Sequence, residues 1–150
     1  MKIENHPDLI KKVIKNLRKL SLRMVLFQQK AAQSLGVVHT DFKTADILNE
    51  VGPLTAGDLG KITGLSTGSV TALIDRLEQA GFVRREKDAT DRRRVMIVPV
   101  EDKQRYIKEH YQPLNESMTE LCAQYNEEEL ALIIGFIEKT IVIHEKVIQR

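Results

Sequence analysis

The stretch LTAGDLGKITGLSTGSVTALIDRLEQAGFVRREKDATDRRRVMIVPV, residues Leu54 to Val100, decides the fold. Thr55 followed by Asp58 has the spacing of a capping box with the shorter acid, and it opens a short helix over about 55–62. Gly57 and Gly60 inside that helix each cost about 1 kcal/mol against alanine, so it is expected to lean on packing through Ala56, Leu59 and Ile62. After the turn Thr63-Gly64-Leu65, Ser66 is the N-cap candidate for a helix running to about Ala80. Val70, Leu73, Ile74 and Leu77 fall at i, i+3, i+4 and i+7, the spacing of a buried face. Gly81 is placed as a left-handed stop. A strand is predicted over Phe82–Glu86 and a polar loop over Lys87–Arg92. Arg93-Arg94 then lead into a second strand over Val95–Val98, which Pro99 ends. Helix, turn, helix and hairpin in this order describe a winged helix-turn-helix.

Upstream, residues 8–34 read as one long helix after Pro7, with Leu9, Ile10, Val13, Ile14, Leu17, Leu20, Met24, Val25 and Phe27 near the helical period. Lys11, Lys12, Lys15, Arg18 and Lys19 take the other face, and Gly36 ends the segment. A second helix is expected over about 40–51, N-capped by Thr40, with Phe42, Ala45, Leu48 and Val51 apolar and Gly52-Pro53 as its stop. Downstream, residues 101–125 read as a helix with Asp102 as the candidate cap, Tyr106, Ile107, Leu114, Met118, Leu121 and Cys122 as packing positions, and a kink at Pro113. Asn126 with Glu129 three residues on opens a last helix reaching about 148. Its apolar residues fall on more than one side, with Leu132, Phe136, Val142 and Ile143 lying outside the main stripe. Such a helix suits burial against a second chain. Leu9, Val13, Leu130, Ile134, Ile137, Ile141 and Ile148 are the candidate dimer contacts. The fold class is mainly α with a small β-hairpin wing. A single domain spans 1–150: a winged helix-turn-helix over about 37–100, flanked by dimerisation helices over about 8–34 and 101–148.

A chain of 150 residues suggests one domain with a real core. No apolar run reaches membrane-spanning length and the N-terminus lacks the pattern of a signal peptide. The single cysteine, Cys122, leaves no disulfide framework, and together these features point to the cytoplasm, away from membranes. Charge is unevenly spread: nine Lys/Arg against six Asp/Glu over 1–60, eight against five over 61–100, and six against ten over 101–150. The middle of the chain can face phosphate and the last third is unsuited to it. His6, His39, His110 and His144 share no metal-ligand spacing with each other or with Cys122, so no metal and no cofactor are expected. No phosphate-binding glycine loop or nucleophile elbow is present. Cys122, mid-helix beside Leu121 and Ala123, reads as a buried packing thiol rather than a redox sensor.

The central stretch carries the chemistry. A recognition helix offers short hydrogen-bonding side chains to base edges while its back is locked in a core. Ser66, Thr67, Gly68, Ser69 and Thr71 are short enough for that, and Arg76, on an outward face of the same helix, is counted with them as a DNA-binding candidate. In the loop, Asp91, Arg92, Arg93 and Arg94 concentrate positive charge at a hairpin tip, where an arginine can enter a narrow minor groove. Asp91, two residues before Arg93, is positioned to brace its guanidinium by a bidentate pair. A capped surface helix and a solvated charged turn are the plainer readings of each element alone, and their succession favours double-stranded DNA. A winged-helix module for protein–protein contact is the alternative, and the Arg92-Arg93-Arg94 run argues against it. A small enzyme with a composite interface site is less favoured still.

These residues resemble the winged helix of the MarR family of bacterial and archaeal transcription regulators. The matching positions are Leu54-Thr55, Asp58-Leu59, Gly64-Leu65-Ser66, Val70-Thr71, Leu73 to Glu78, Ala80 to Arg85 and Asp88 to Arg93, the last holding the family's Asp-x-Arg wing signature at Asp91 and Arg93. Outside them only the order and length of helices match. The resemblance implies a homodimer whose terminal helices interlock and whose two winged helices bind a pseudo-palindromic operator. Most members repress, and a small-molecule effector or oxidant often releases the DNA; a pocket near the first, second and fifth helices would suit one. Three features depart from the family pattern: Ala89 where proline is frequent, Val98-Pro99-Val100 in place of a Leu-Thr strand end, and the paired glycines Gly57 and Gly60.

Overall fold

A computed structural model of the chain describes residues 6–150; the N-terminal segment read against a signal peptide begins in residues 1–5, outside the described residues. The element order is α1 (Pro7–Ser34), α2 (His39–Val51), β1 (Leu54–Thr55), α3 (Ala56–Thr63), α4 (Thr67–Gln79), β2 (Val83–Lys87), β3 (Val95–Pro99), α5 (Glu101–Cys122) and α6 (Glu127–Ile148). The chain clusters into two compact units, one ending at Lys108 and the other comprising Glu109–Arg150. No helix among the described residues is long and apolar enough to cross a membrane.

The first unit holds the core. Val70, Leu73, Ile74 and Leu77, the whole apolar face of α4, are buried, as are Phe42, Ala45 and Leu48 of α2, Leu59 of α3 and Ile97 of β3. Each Val, Leu, Ile or Phe side chain among them contributes about 1.5–3 kcal/mol by leaving water. Two helix ends use the same device. Gly81 (φ 82°) lets its own N–H reach the Glu78 carbonyl and that of Phe82 reach Leu77, at 3.1 and 2.9 Å. The C-terminus of α4 is thereby closed with the double hydrogen bond of a Schellman motif, and both Leu77 and Phe82 are buried. Gly36 (φ 71°) ends α1 the same way, with Val37 reaching Ala32.

The sheet has three antiparallel strands in the order β1-β3-β2. Sequence reading found the hairpin but not β1, which pairs Leu54 with Ile97 and Thr55 with Met96. Two residues are too few to show an alternation. Pro99 is the last residue of β3 and lies beyond the reach of β1, so its missing N–H breaks no ladder on that side.

Several local expectations change. α2 starts at His39 after Val38, with no side-chain cap, so Thr40 lies inside the helix; its carbonyl accepts from buried Thr44 at 2.9 Å. Asp102 is not the cap of α5: it sits in the first turn beside Glu101, and the Val100 carbonyl accepts from Gln104. α5 ends at Cys122 instead of continuing to 125, and runs through Pro113. Cys122 is exposed in the chain, against the reading of a buried packing thiol.

In the second unit Asn126 and Glu129 form a reciprocal capping box at 2.9 and 3.0 Å, which starts α6. No residue of α6 is buried within the chain: Leu130 is half-buried, while Ile134, Ile137, Ile141 and Ile148 are exposed, as are Leu9 and Val13 of α1.

Candidate nucleic-acid interface

The turn between α3 and α4 is built from reciprocal caps. Thr55 Oγ1 accepts from the Asp58 N–H at 3.1 Å, and an Asp58 carboxylate oxygen accepts from the Thr55 N–H at 3.3 Å. Thr55's hydrogen bonds hold the Asp58 carboxyl below its ordinary range. Gly64 adopts φ 70°, which only glycine takes freely, and turns the chain toward Ser66. There Ser66 Oγ accepts from the Ser69 N–H at 3.3 Å and lies 3.0 Å from Ser69 Oγ, fixing the first turn of α4.

The short polar residues expected to read DNA share one region. Ser66, Thr67, Gly68, Ser69 and Thr71 are all exposed at the N-terminal end of α4, while Val70 behind them is buried. Thr71 donates its hydroxyl proton to the Thr67 carbonyl at 3.0 Å, so its oxygen is left to accept from outside. A Cβ added at Gly68 would meet nothing within 4 Å. Gly57 and Gly60 line a cleft of about 270 Å³ between α3 and α4, with Lys61, Leu65 and Thr67 around it. A Cβ on Gly60 would stand 3.6 Å from the Leu65 carbonyl oxygen and from Val70 Cγ2, ordinary van der Waals contact, so the passage of the two helices does not demand glycine there. Lys61, exposed in the last turn of α3 beside this cleft, is a basic residue that motif reading did not single out.

The wing loop is organised by its aspartates. Asp88 Oδ1 accepts from the Thr90 N–H and hydroxyl at 3.1 and 3.0 Å, and these bonds lower its pKa. The Asp88 N–H donates to the Arg94 carbonyl at 2.9 Å and closes the loop. Asp91 does not form the expected bidentate brace. Its Oδ1 accepts the backbone N–H of Arg93 at 3.1 Å, while the nearest guanidinium nitrogen stands 3.7 Å away. The carboxylate shapes the backbone, and the Arg93 side chain stays 95% exposed. Arg92 and Arg94 are exposed on the same loop, with Arg94 3.8 Å from Asp88.

Arg76 has a different engagement. Its Nε and Nη2 donate to the two oxygens of Asp41 on α2, both at 3.0 Å. Asp41 is buried at 4% exposure, and its hydrogen bond, then its charge, raise the Arg76 pKa. This fork-to-fork pair fixes α4 to α2. Arg85 of β2, which site reading also passed over, donates to Asp75 and Glu78 of α4. Side-chain type and spacing contain no signal for either pair, because the partners lie 35 and 7 to 10 residues apart.

The arrangement is therefore a helix with a locked back, a polar front at its N-terminus, and an arginine-tipped hairpin on the same unit. A family model described as the MarR family matches residues 39–95, the span holding these elements. Over 143 residues the chain is 57% identical to the uncharacterized HTH-type transcriptional regulator YcgE of Bacillus subtilis (strain 168), covering 95% of this chain and 93% of that protein. Among solved structures, a MarR family protein from Bacillus stearothermophilus superimposes with a TM-score of 0.70 at 22% identity, over 95% of this chain and 98% of that one. Reduced AbfR bound to DNA aligns with a TM-score of 0.53 at 21% identity, over 89% and 92% of the two chains. On this sequence identity and the matching helix-turn-helix, the chain belongs to the MarR family of transcriptional regulators.

Proposed function

We infer that this regulator binds double-stranded DNA as a homodimer, reading a pseudo-palindromic operator with the N-terminal end of α4 and anchoring on phosphate and minor groove with Arg92, Arg93 and Arg94. The observation that carries this is the pairing of an exposed Ser-Thr-Gly front on α4 with a 95% exposed arginine at the wing tip. The AbfR complex with DNA supports the same use of the fold. Half-sites then lie about one helical turn, roughly 34–36 Å, apart.

Dimerisation is supported by the unburied apolar faces. Ile134, Ile137 and Ile141 on α6 are each more than half-exposed or close to it, and Leu9 on α1 is 61% exposed. A monomer leaves that surface in water at a cost that a second copy removes. Charge is complementary too. Residues 7–34 carry seven Lys/Arg against one Asp, whereas 109–150 carry eight Glu against three Lys/Arg. A ligand- or stress-responsive repressor is the regulatory reading, because an effector that alters the spacing of two recognition helices loses the fit to a fixed half-site spacing.

The test is fluorescence anisotropy with duplexes from the region upstream of the protein's own coding sequence, repeated with candidate small molecules and peroxide. Arg93→Ala is expected to weaken binding and to lower the slope of log K against log salt by about 0.9 per lost phosphate contact. Unchanged affinity and slope would remove the wing from the interface.

A further inference from the structure

We propose that Arg85 is a positioning residue: with Asp75 and Glu78 it forms a latch that sets the angle of the wing against the recognition helix. The inference rests on the DNA-reading surface proposed above and adds a residue that does not itself touch DNA.

Arg85 sits on β2, opposite Ile97, the buried residue at the centre of β3. It is thus midway along the hairpin, with the Val83–Pro99 and Arg84–Val98 pairs on the side of α4. Beyond it, Glu86 and Lys87 pair with Met96 and Val95 and lead to the arginine loop. Its guanidinium reaches back to α4, with Nη1 2.7 Å from Glu78 Oε1 and Nη2 hydrogen-bonded to Asp75 Oδ1. The Arg85 backbone N–H donates to the other Glu78 oxygen at 3.2 Å. Glu78 therefore grips both the main chain and the side chain of one wing residue. Asp75 and Glu78 are three apart on α4 and share a face, so a single planar fork can span them.

Two features separate a latch from a phosphate contact. The Arg85 side chain is 33% exposed, against 95% for Arg93. One guanidinium also meets two carboxylates, so the cluster is net negative and repels phosphate. Asp75's hydrogen bond, then the Glu78 and Asp75 charges, raise the Arg85 pKa, as expected of a cation held in an acidic grip. Each strand residue beyond Arg85 adds about 3.3 Å of lever, and the loop continues it, so a small change of angle at Arg85 becomes a displacement of the arginine tip.

The experiment uses the full chain with Arg85→Met, which keeps the stem and loses the fork, Arg85→Lys, which keeps the charge alone, and Asp75→Asn/Glu78→Gln, which removes the grip from the other side. Amide hydrogen exchange of residues 86–95 is measured without DNA, and affinity is measured for an operator duplex and a scrambled one. Arg85→Met is expected to speed wing exchange and to lower the operator-to-scrambled ratio about fivefold, the size of a partly exposed ion-pair network. Arg85→Lys should restore only part of both, and Asp75→Asn/Glu78→Gln should lose the ratio although it makes the surface more positive. Unchanged wing exchange, a ratio within twofold of wild type, or equal tightening of both duplexes by the carboxylate variant would overturn the latch. If the wild type binds no duplex, the DNA reading fails, and the exchange measurement still decides whether Arg85 holds the wing.

Discussion

Replacing Gly68 by alanine should stabilise the protein and weaken its binding to DNA. Gly68 lies in the first turn of α4, with ordinary negative φ and no atom within 4 Å of where a Cβ would stand. The methyl group therefore meets no strain inside the chain, and the helix gains about 0.5–1 kcal/mol from the backbone freedom glycine no longer loses. For a chain of this size that raises Tm by about 1–4 °C. The same methyl projects from the surface assigned to the major groove. Filling a close-packed contact with one extra carbon costs about 1–3 kcal/mol, a loss of about 5- to 150-fold in affinity per half-site. Thermal unfolding at fixed protein concentration and anisotropy titration on operator and scrambled duplexes give both numbers. A rise in Tm with operator affinity within twofold of wild type would place position 68 away from DNA and refute the groove assignment. A fall in Tm would refute the open geometry from which the gain was worked out.

Leu77→Ala removes a fully buried side chain of the α4 core face; urea unfolding should show a loss of about 2–5 kcal/mol. Ile137→Lys, on the exposed apolar face of α6, should leave the fold intact by circular dichroism and shift the sedimentation of the proposed homodimer to that of a monomer. Asp58 and Asp88 have pKa values lowered below 3.8 by hydrogen bonds from Thr55 and Thr90. Their stabilisation is fully present above 3.8 and is lost as pH falls through the lowered values. Asp58→Asn and Asp88→Asn should each flatten the acid end of the stability profile, and an unchanged profile would count against these bonds.

Elements whose signal is local were legible in the residues. The α4 stripe, the Ser66 cap, the Thr55–Asp58 box and the Asn126–Glu129 box depend on neighbours three or four positions apart, and all four are present in the fold. What depended on distant partners was not legible. β1 is two residues whose partner strand begins some 40 positions on. Thr40 has a capping side chain, yet the helix begins one residue earlier, and its neighbour Asp41 turns inward to Arg76.

By itself, then, the sequence determined the order of elements, the polarity of the α4 surface and the basic tip of the wing, because periodicity, caps and charge are properties of short segments. Only the tertiary structure decided which arginines are held and which are free. Arg76 and Arg85 are hydrogen-bonded to carboxylates of the same unit, whereas the Arg93 side chain keeps only a 3.7 Å ion pair with Asp91 and stays 95% exposed. Six arginines between Arg76 and Arg94 look alike in a string of letters. Whether a guanidinium is held depends on which carboxylates folding brings within about 3 Å of it.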